Sequence, residues 1–119
     1  MTPQNDLVTS LEVDVGSAAV RFVLHVTNAG NNAVALEFSS AQKYDFEVQA
    51  LGGSKVWRWS DDQMFAQMLS QETIPAGATV DYTASWQPGS TSGRLIAIGR
   101  VLATGRKIEQ RTEFEIMKR

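Results

Sequence analysis

The side chains able to carry chemistry in this chain are few. It has one histidine, His25, thirteen carboxylates and no cysteine, which excludes thiolate nucleophiles, disulfides and cysteine-based zinc sites. His25 sits within an alternating run, on the face opposite its apolar stripe, with no acid or nucleophile at a local spacing that would build a Ser-His-Asp arrangement. It reads as an exposed bystander. Asp61 and Asp62 are adjacent and stand where a helix would begin, so they suit the positive end of a helix better than paired acid–base work. Asp45 and Glu47 alternate on one strand face. Two carboxylates fall short of the ~6–8 oxygens of a calcium cage, and the pair reads as a solvated face. No phosphate-binding glycine loop is present. Catalysis is not expected, nor is any metal or cofactor.

The elements that would position these residues are strands. Leu7, Thr9, Leu11, Val13 and Val15 alternate with mostly polar neighbours, and Gly16-Ser17 offers the glycine-first pair of a type II′ hairpin. Val20, Phe22, Leu24 and Val26 then face one way, with Arg21, Val23, His25 and Thr27 facing the other. Asn28 to Asn32 breaks the run with residues that tolerate positive φ. Val34, Leu36 and Phe38 form a short alternating strand, and Tyr44, Phe46 and Val48 form another whose opposite face carries Asp45 and Glu47. Gly52-Gly53 turns the chain. On the return, Trp57 and Trp59 face a core while the Arg58 stem lies on apolar surface with its head in water. A tryptophan ligand platform is the alternative to that core role.

Ser60-Asp61-Asp62-Gln63 matches a capping box, and Met64, Phe65, Met68 and Leu69 recur at helical spacing. The pattern predicts one short amphipathic helix near 61–70, lying across the end of the sheets. Beyond it, Ile74-Pro75-Ala76-Gly77 fits a type I turn. Val80, Tyr82, Ala84 and Trp86 alternate, and Gln87-Pro88-Gly89-Ser90 fits a type II turn that opens a polar loop. A last hairpin turns at Thr104-Gly105, with Ile108, Thr112, Phe114 and Ile116 on its apolar face. Seven or eight short strands without βαβ alternation predict an all-β, immunoglobulin-like antiparallel β-sandwich.

A chain of 119 residues is one domain, 1–119, able to bury roughly two-thirds of its unfolded surface. The net charge of −2 is unevenly placed: Arg94, Arg100, Arg106, Lys107, Arg111, Lys118 and Arg119 make the C-terminal part basic. These charges are interleaved with glutamates, so a solvated sheet face is expected, with neither nucleic acid nor membrane as partner. Met1 to Asp6 lacks a basic start and an apolar run, and no stretch approaches the ~18 apolar residues of a membrane span. A cytoplasmic location is the expectation.

One combination of motifs is more specific. Gln-Lys-Tyr-Asp-Phe-Glu-Val at 42–48, the turn, Val-Trp-Arg-Trp-Ser at 56–60, Met-Phe-Ala-Gln at 64–67, the Pro75-Ala-Gly77 turn and Trp86 resemble the BsuPI domain of bacterial intracellular proteinase inhibitors, over about Leu24 to Trp86. The resemblance marks Tyr44, Phe46, Trp57, Arg58, Trp59, Phe65, Pro75, Gly77 and Trp86 as motif residues with structural roles. It implies an immunoglobulin-like fold and a role against subtilisin-type serine proteases. Such inhibitors present an extended loop on a rigid scaffold, because pre-organisation lowers the ordering cost of binding. Two segments are candidates. Gln67, Met68, Leu69 and Ser70 offer an apolar side chain for the main pocket, against the alternative of a helix face packed on the core. Gln87, Pro88, Gly89 and Ser90 form a loop without an apolar anchor. The other reading is a non-inhibitory binding or adhesion module that uses a sheet edge or a Trp-rich face.

Overall fold

The structure, a computed structural model, describes residues 6–117. Met1–Asn5 of the N-terminus, and Lys118 and Arg119 of the basic C-terminal set, lie outside the described residues. Nine antiparallel strands occupy the described chain, slightly more than the seven or eight expected: β1 (Leu7–Val15), β2 (Val20–Asn28), β3 (Val34–Phe38), β4 (Tyr44–Ala50), β5 (Lys55–Arg58), β6 (Ser70–Ile74), β7 (Thr79–Trp86), β8 (Gly93–Val101) and β9 (Ile108–Ile116). They form a three-stranded sheet β1-β2-β7, a four-stranded sheet β5-β4-β8-β9 and a separate pair β3-β6.

Period-two patterning explains how the two larger sheets pack, since alternate side chains leave a strand on opposite faces. Val20, Phe22, Leu24 and Val26 of β2 turn inward to meet Phe46 and Val48 of β4 and Leu95 and Ala97 of β8. Tyr82, Ala84 and Trp86 of β7 and Leu36 and Phe38 of β3 complete this core. Along one edge β1 lies beside β9, where the Thr9 hydroxyl donates to Gln110 Oε1 at 2.8 Å.

Several turns differ from expectation. Val15 pairs with Val20, and the Gly16 N–H donates to Ala19 O at 2.9 Å, so a four-residue loop replaces the two-residue hairpin. Around Pro75 the turn is shifted by one residue: the Ala78 N–H donates to Pro75 O at 3.0 Å and Gly77 has φ +78°. Glycine thus takes the third position, the left-handed site of a type II turn. The same shift occurs at Pro88. Thr91 N–H donates to Pro88 O, and Gly89, at φ +60°, takes the first central position of a type II′ turn.

Asn28 also departs from its expected role. It is the last residue of β2, it does not use positive φ, and its amide is fully buried. The amide nitrogen donates to Asn32 O (2.8 Å) and Ile74 O (2.9 Å), and Oδ1 accepts from the Gly30 N–H (2.9 Å). One side chain therefore ties the β2–β3 connection to the end of β6.

Candidate functional site

The segment predicted as a helix contains none. A single 3-10 turn, Trp59–Asp62, is followed by an extended loop from 63 to 69, and β6 begins at Ser70. The cause is local. Ser60 does not cap a helix: its N–H and hydroxyl both donate to Asp45, at 3.1 Å to Oδ1 and 2.6 Å to Oδ2. The strand pair β3-β6 then requires Ser70 opposite Phe38. A helix this short is not stable in water alone and needs apolar surface to cover. Here the aromatic side chains of β2, β4, β5 and the 3-10 turn pack on one another.

Those aromatics form a continuous row through the molecule. Trp86 stacks on Trp57 (5.8 Å between centroids), Trp57 on Phe22 (5.8 Å) and Phe22 on Phe46 (5.8 Å). The row continues from Phe46 to Tyr44 (5.7 Å), from Tyr44 to Trp59 (4.7 Å) and from Trp59 to Phe65 (5.7 Å). Trp86 is buried in the core, and Trp57 and Trp59 are half-buried against it. Of the expected helix face, only Phe65 is half-buried, its ring against that of Trp59.

Backbone and hydroxyl contacts hold the rest of the loop. Gln63 N–H donates to Ser60 O at 3.1 Å, Ala41 N–H donates to Ala66 O at 3.0 Å, and the Ser70 hydroxyl donates to Ser40 O at 2.7 Å. Between these ties the apolar side chains point to solvent: Met64 is 97% exposed, Met68 63% and Leu69 82%. Gln67 is exposed as well. Met68 and Leu69 therefore do not form a packed helix face. Loop 63–69 is instead an apolar tip on a pinned backbone.

The second candidate loop is of another kind. Gln87, Gly89 and Ser90 are exposed and Pro88 is half-buried. Pro88, Gly89 and Ser90 flank a cleft of about 880 Å³ with residues 15–18 and 115–117, and the loop itself carries no apolar tip.

Behind the anchored loop, the outer face of β4 also departs from the sequence reading. Asp45 and Glu47 are not solvated; both are buried. Glu47 accepts from Arg58 Nη2 (2.9 Å), Arg100 Nη1 (3.0 Å) and Gln49 Nε2 (2.9 Å). Burial acts to raise its carboxyl pKa, but these three hydrogen bonds and the Arg58 charge more than offset it and hold the group at about 2. The Arg58 head is accordingly only partly in water, with Nη2 turned inward to Glu47. Its hydrogen bond to Glu47 raises its pKa, and its Nε is buried without a partner, 4.0 Å from Asp45 Oδ2. Arg100 reaches on to Glu109 at 2.9 Å. Asp45 and Glu47 thus fasten β5 and the 3-10 turn, and with them the root of loop 63–69.

His25, expected to be a bystander, has partners on both neighbouring strands. Nδ1 lies 2.6 Å from Asp81 Oδ1 and Nε2 3.1 Å from Glu12 Oε1. Both ring nitrogens are engaged by carboxylates, so neither is free to activate a hydroxyl. Among the described residues no group of three or more acidic or histidine side chains is arranged to hold a metal ion.

This frame coincides with a known family. The family described as BsuPI, intracellular proteinase inhibitor, matches residues 7–104. The chain belongs to the BsuPI family. The match takes in β1 and β8, which the residue resemblance from Leu24 to Trp86 did not include. BsuPI is a family of proteinase inhibitors and not of enzymes. No curated protein matches the sequence.

Solved structures show the same fold at low identity. A penta-heme cytochrome c552 from Thermochromatium tepidum has a TM-score of 0.58 at 7% identity, over 95% of this chain, which spans 40% of the cytochrome's length. A structural-genomics target protein gives 0.54 at 12% identity, over 98% of this chain and 90% of the other. A Bordetella pertussis protein assigned as ApaA gives 0.51 at 14%, over 95% and 94%. These likenesses concern the fold alone. Among the described residues no helix is long and apolar enough to cross a membrane.

Proposed function

We propose that this BsuPI chain acts in the cytoplasm, as a single domain, to inhibit a subtilisin-type serine protease through loop 63–69, with Met68 or Leu69 entering the main specificity pocket. The observation that carries this reading is the combination of an exposed apolar tip with a fastened backbone. Two apolar side chains, Met68 and Leu69, stand in solvent between Phe65, whose ring packs on Trp59, and the Ser70 hydroxyl tie, and a third, Met64, stands in solvent just before Phe65. An exposed apolar side chain contributes about 1.5–3 kcal/mol when a pocket buries it fully, and a loop already held in place loses little further freedom on binding.

The polar loop 87–90 lacks such a tip, and the alternative of a sheet-face binding module finds less support. The outer face of β1-β2-β7 carries the His25, Glu12 and Asp81 cluster, and that of β4 and β8 carries the Arg58, Glu47 and Arg100 network. The test compares Met68→Asp and Leu69→Asp with Ser90→Asp in a protease inhibition assay. Loss of inhibition in either loop 63–69 variant, with Ser90→Asp retaining it, is the expected result. The reverse pattern would transfer the contact to loop 87–90.

A further inference from the structure

The sulfur atoms of this chain are distributed in a way that bears on how such an inhibitor would be controlled. Cysteine is absent and there are four methionines. Buried methionine normally fills gaps in a core. Here two of the four, Met64 and Met68, stand on the same pinned loop with side chains in solvent, while the core around them is built from aromatic and aliphatic residues. Met117, also exposed, follows β9 rather than this loop.

We propose that Met64 and Met68 form an oxidation site that switches the inhibitory loop off. This inference rests on the reading of loop 63–69 as the protease contact. The reagent is a hydroperoxide. The thioether sulfur attacks the peroxide oxygen, an S–O bond forms as the O–O bond breaks, and the sulfur loses two electrons. Hydrogen peroxide leaves as water and methionine sulfoxide remains. A thiol-dependent reductase reverses the change, with a dithiol supplying two electrons and ending as a disulfide while the oxygen leaves as water. The sulfoxide is polar and chiral where the thioether was apolar and flexible. Its entry into an apolar pocket strands the S–O dipole away from water.

The frame should not sense the change. Neither thioether contributes to the buried core, and the contacts that hold the loop are made by Phe65, Ala66 and Ser70. Oxidation therefore alters the contact surface and leaves the scaffold in place.

The experiment treats the full chain with hydrogen peroxide, removes the peroxide, locates sulfoxides by peptide mass spectrometry and measures inhibition of a subtilisin-type protease before and after treatment. The wild type should weaken by about tenfold or more, with an unchanged thermal midpoint. Met64→Leu/Met68→Leu, whatever its own inhibition constant, should not respond to peroxide, whereas Met117→Leu should respond as the wild type does. Sulfoxide at both loop positions with inhibition altered by less than about twofold would overturn the switch and leave the inhibitor reading intact. Peroxide sensitivity persisting in the double variant, or the absence of sulfoxide at 64 and 68, would also overturn it. Absence of inhibition by the untreated protein would refute the loop reading and the switch together.

Discussion

Replacing Glu47 by glutamine removes one charge and almost no volume from a carboxylate that serves two arginines. The wild-type carboxyl moves from 4.5 to about 2 on folding, and at ~1.36 kcal/mol per pKa unit this corresponds to roughly 3 kcal/mol of stability at neutral pH. Arg58 and Arg100 keep 39% and 27% of their side-chain surface exposed, so solvent screening lowers the expected loss to about 2–3 kcal/mol. The sign follows from the direction of the shift. A depressed carboxyl pKa stabilises the fold above its unfolded value, and that stabilisation is lost as pH falls from 4.5 toward 2. At about pH 3 less than half of it remains, roughly 1.4 kcal/mol before screening. Urea denaturation of wild type and Glu47→Gln at pH 7 and pH 3 measures both quantities. A difference below about 0.5 kcal/mol at pH 7, or a difference that does not shrink at pH 3, would show that the network does not fasten β5 to β4.

Three further outcomes follow from other parts of the frame. Trp57→Ala removes a ring stacked between Phe22 and Trp86 and should cost ~3–5 kcal/mol; an unchanged urea midpoint would refute its core role. Asn28→Ala leaves the Gly30 N–H and the Ile74 and Asn32 carbonyls without their partner and should cost roughly 2–3 kcal/mol, whereas a near-neutral calorimetric result would contradict the staple. The Asp81 hydrogen bond, reinforced by Glu12, raises the His25 pKa. The imidazolium therefore stabilises the fold below the unfolded pKa, and the effect fades as pH rises through the folded one. His25→Gln should be less stable than wild type by under ~1 kcal/mol at about pH 5.5, with the gap closing at about pH 9. A gap that widens with pH would reverse the assignment.

The strands were legible because their alternation is local: Val20 to Val26 and Val80 to Trp86 declare their inner faces by residue type alone. The aromatic motif was legible for the same reason. What was not legible depends on partners far away in the chain. Asp45 and Glu47 look solvated until Ser60 closes on Asp45 and Arg100, which is 53 residues from Glu47, folds across the sheet to reach it. Ser60 looks like a helix cap until Asp45 takes both its donors. Met64, Phe65, Met68 and Leu69 have helical spacing, but the aromatic row takes up only Phe65 and the β3-β6 pairing sets Ser70 opposite Phe38. The turns at Pro75 and Pro88 are each displaced by one residue, Gly77 moving from the fourth to the third position and Gly89 from the third to the second. His25 gave no local signal of Asp81, which is 56 residues away.

The most direct test of the inhibitory loop is a titration of the purified chain against an intracellular subtilisin-type protease, with the chain then examined for a single slow cut. The account predicts stoichiometric loss of protease activity and a cut, if one forms, after Met68 or Leu69. Full protease activity in the presence of micromolar excess, or a cut confined to residues 87–92, would contradict it.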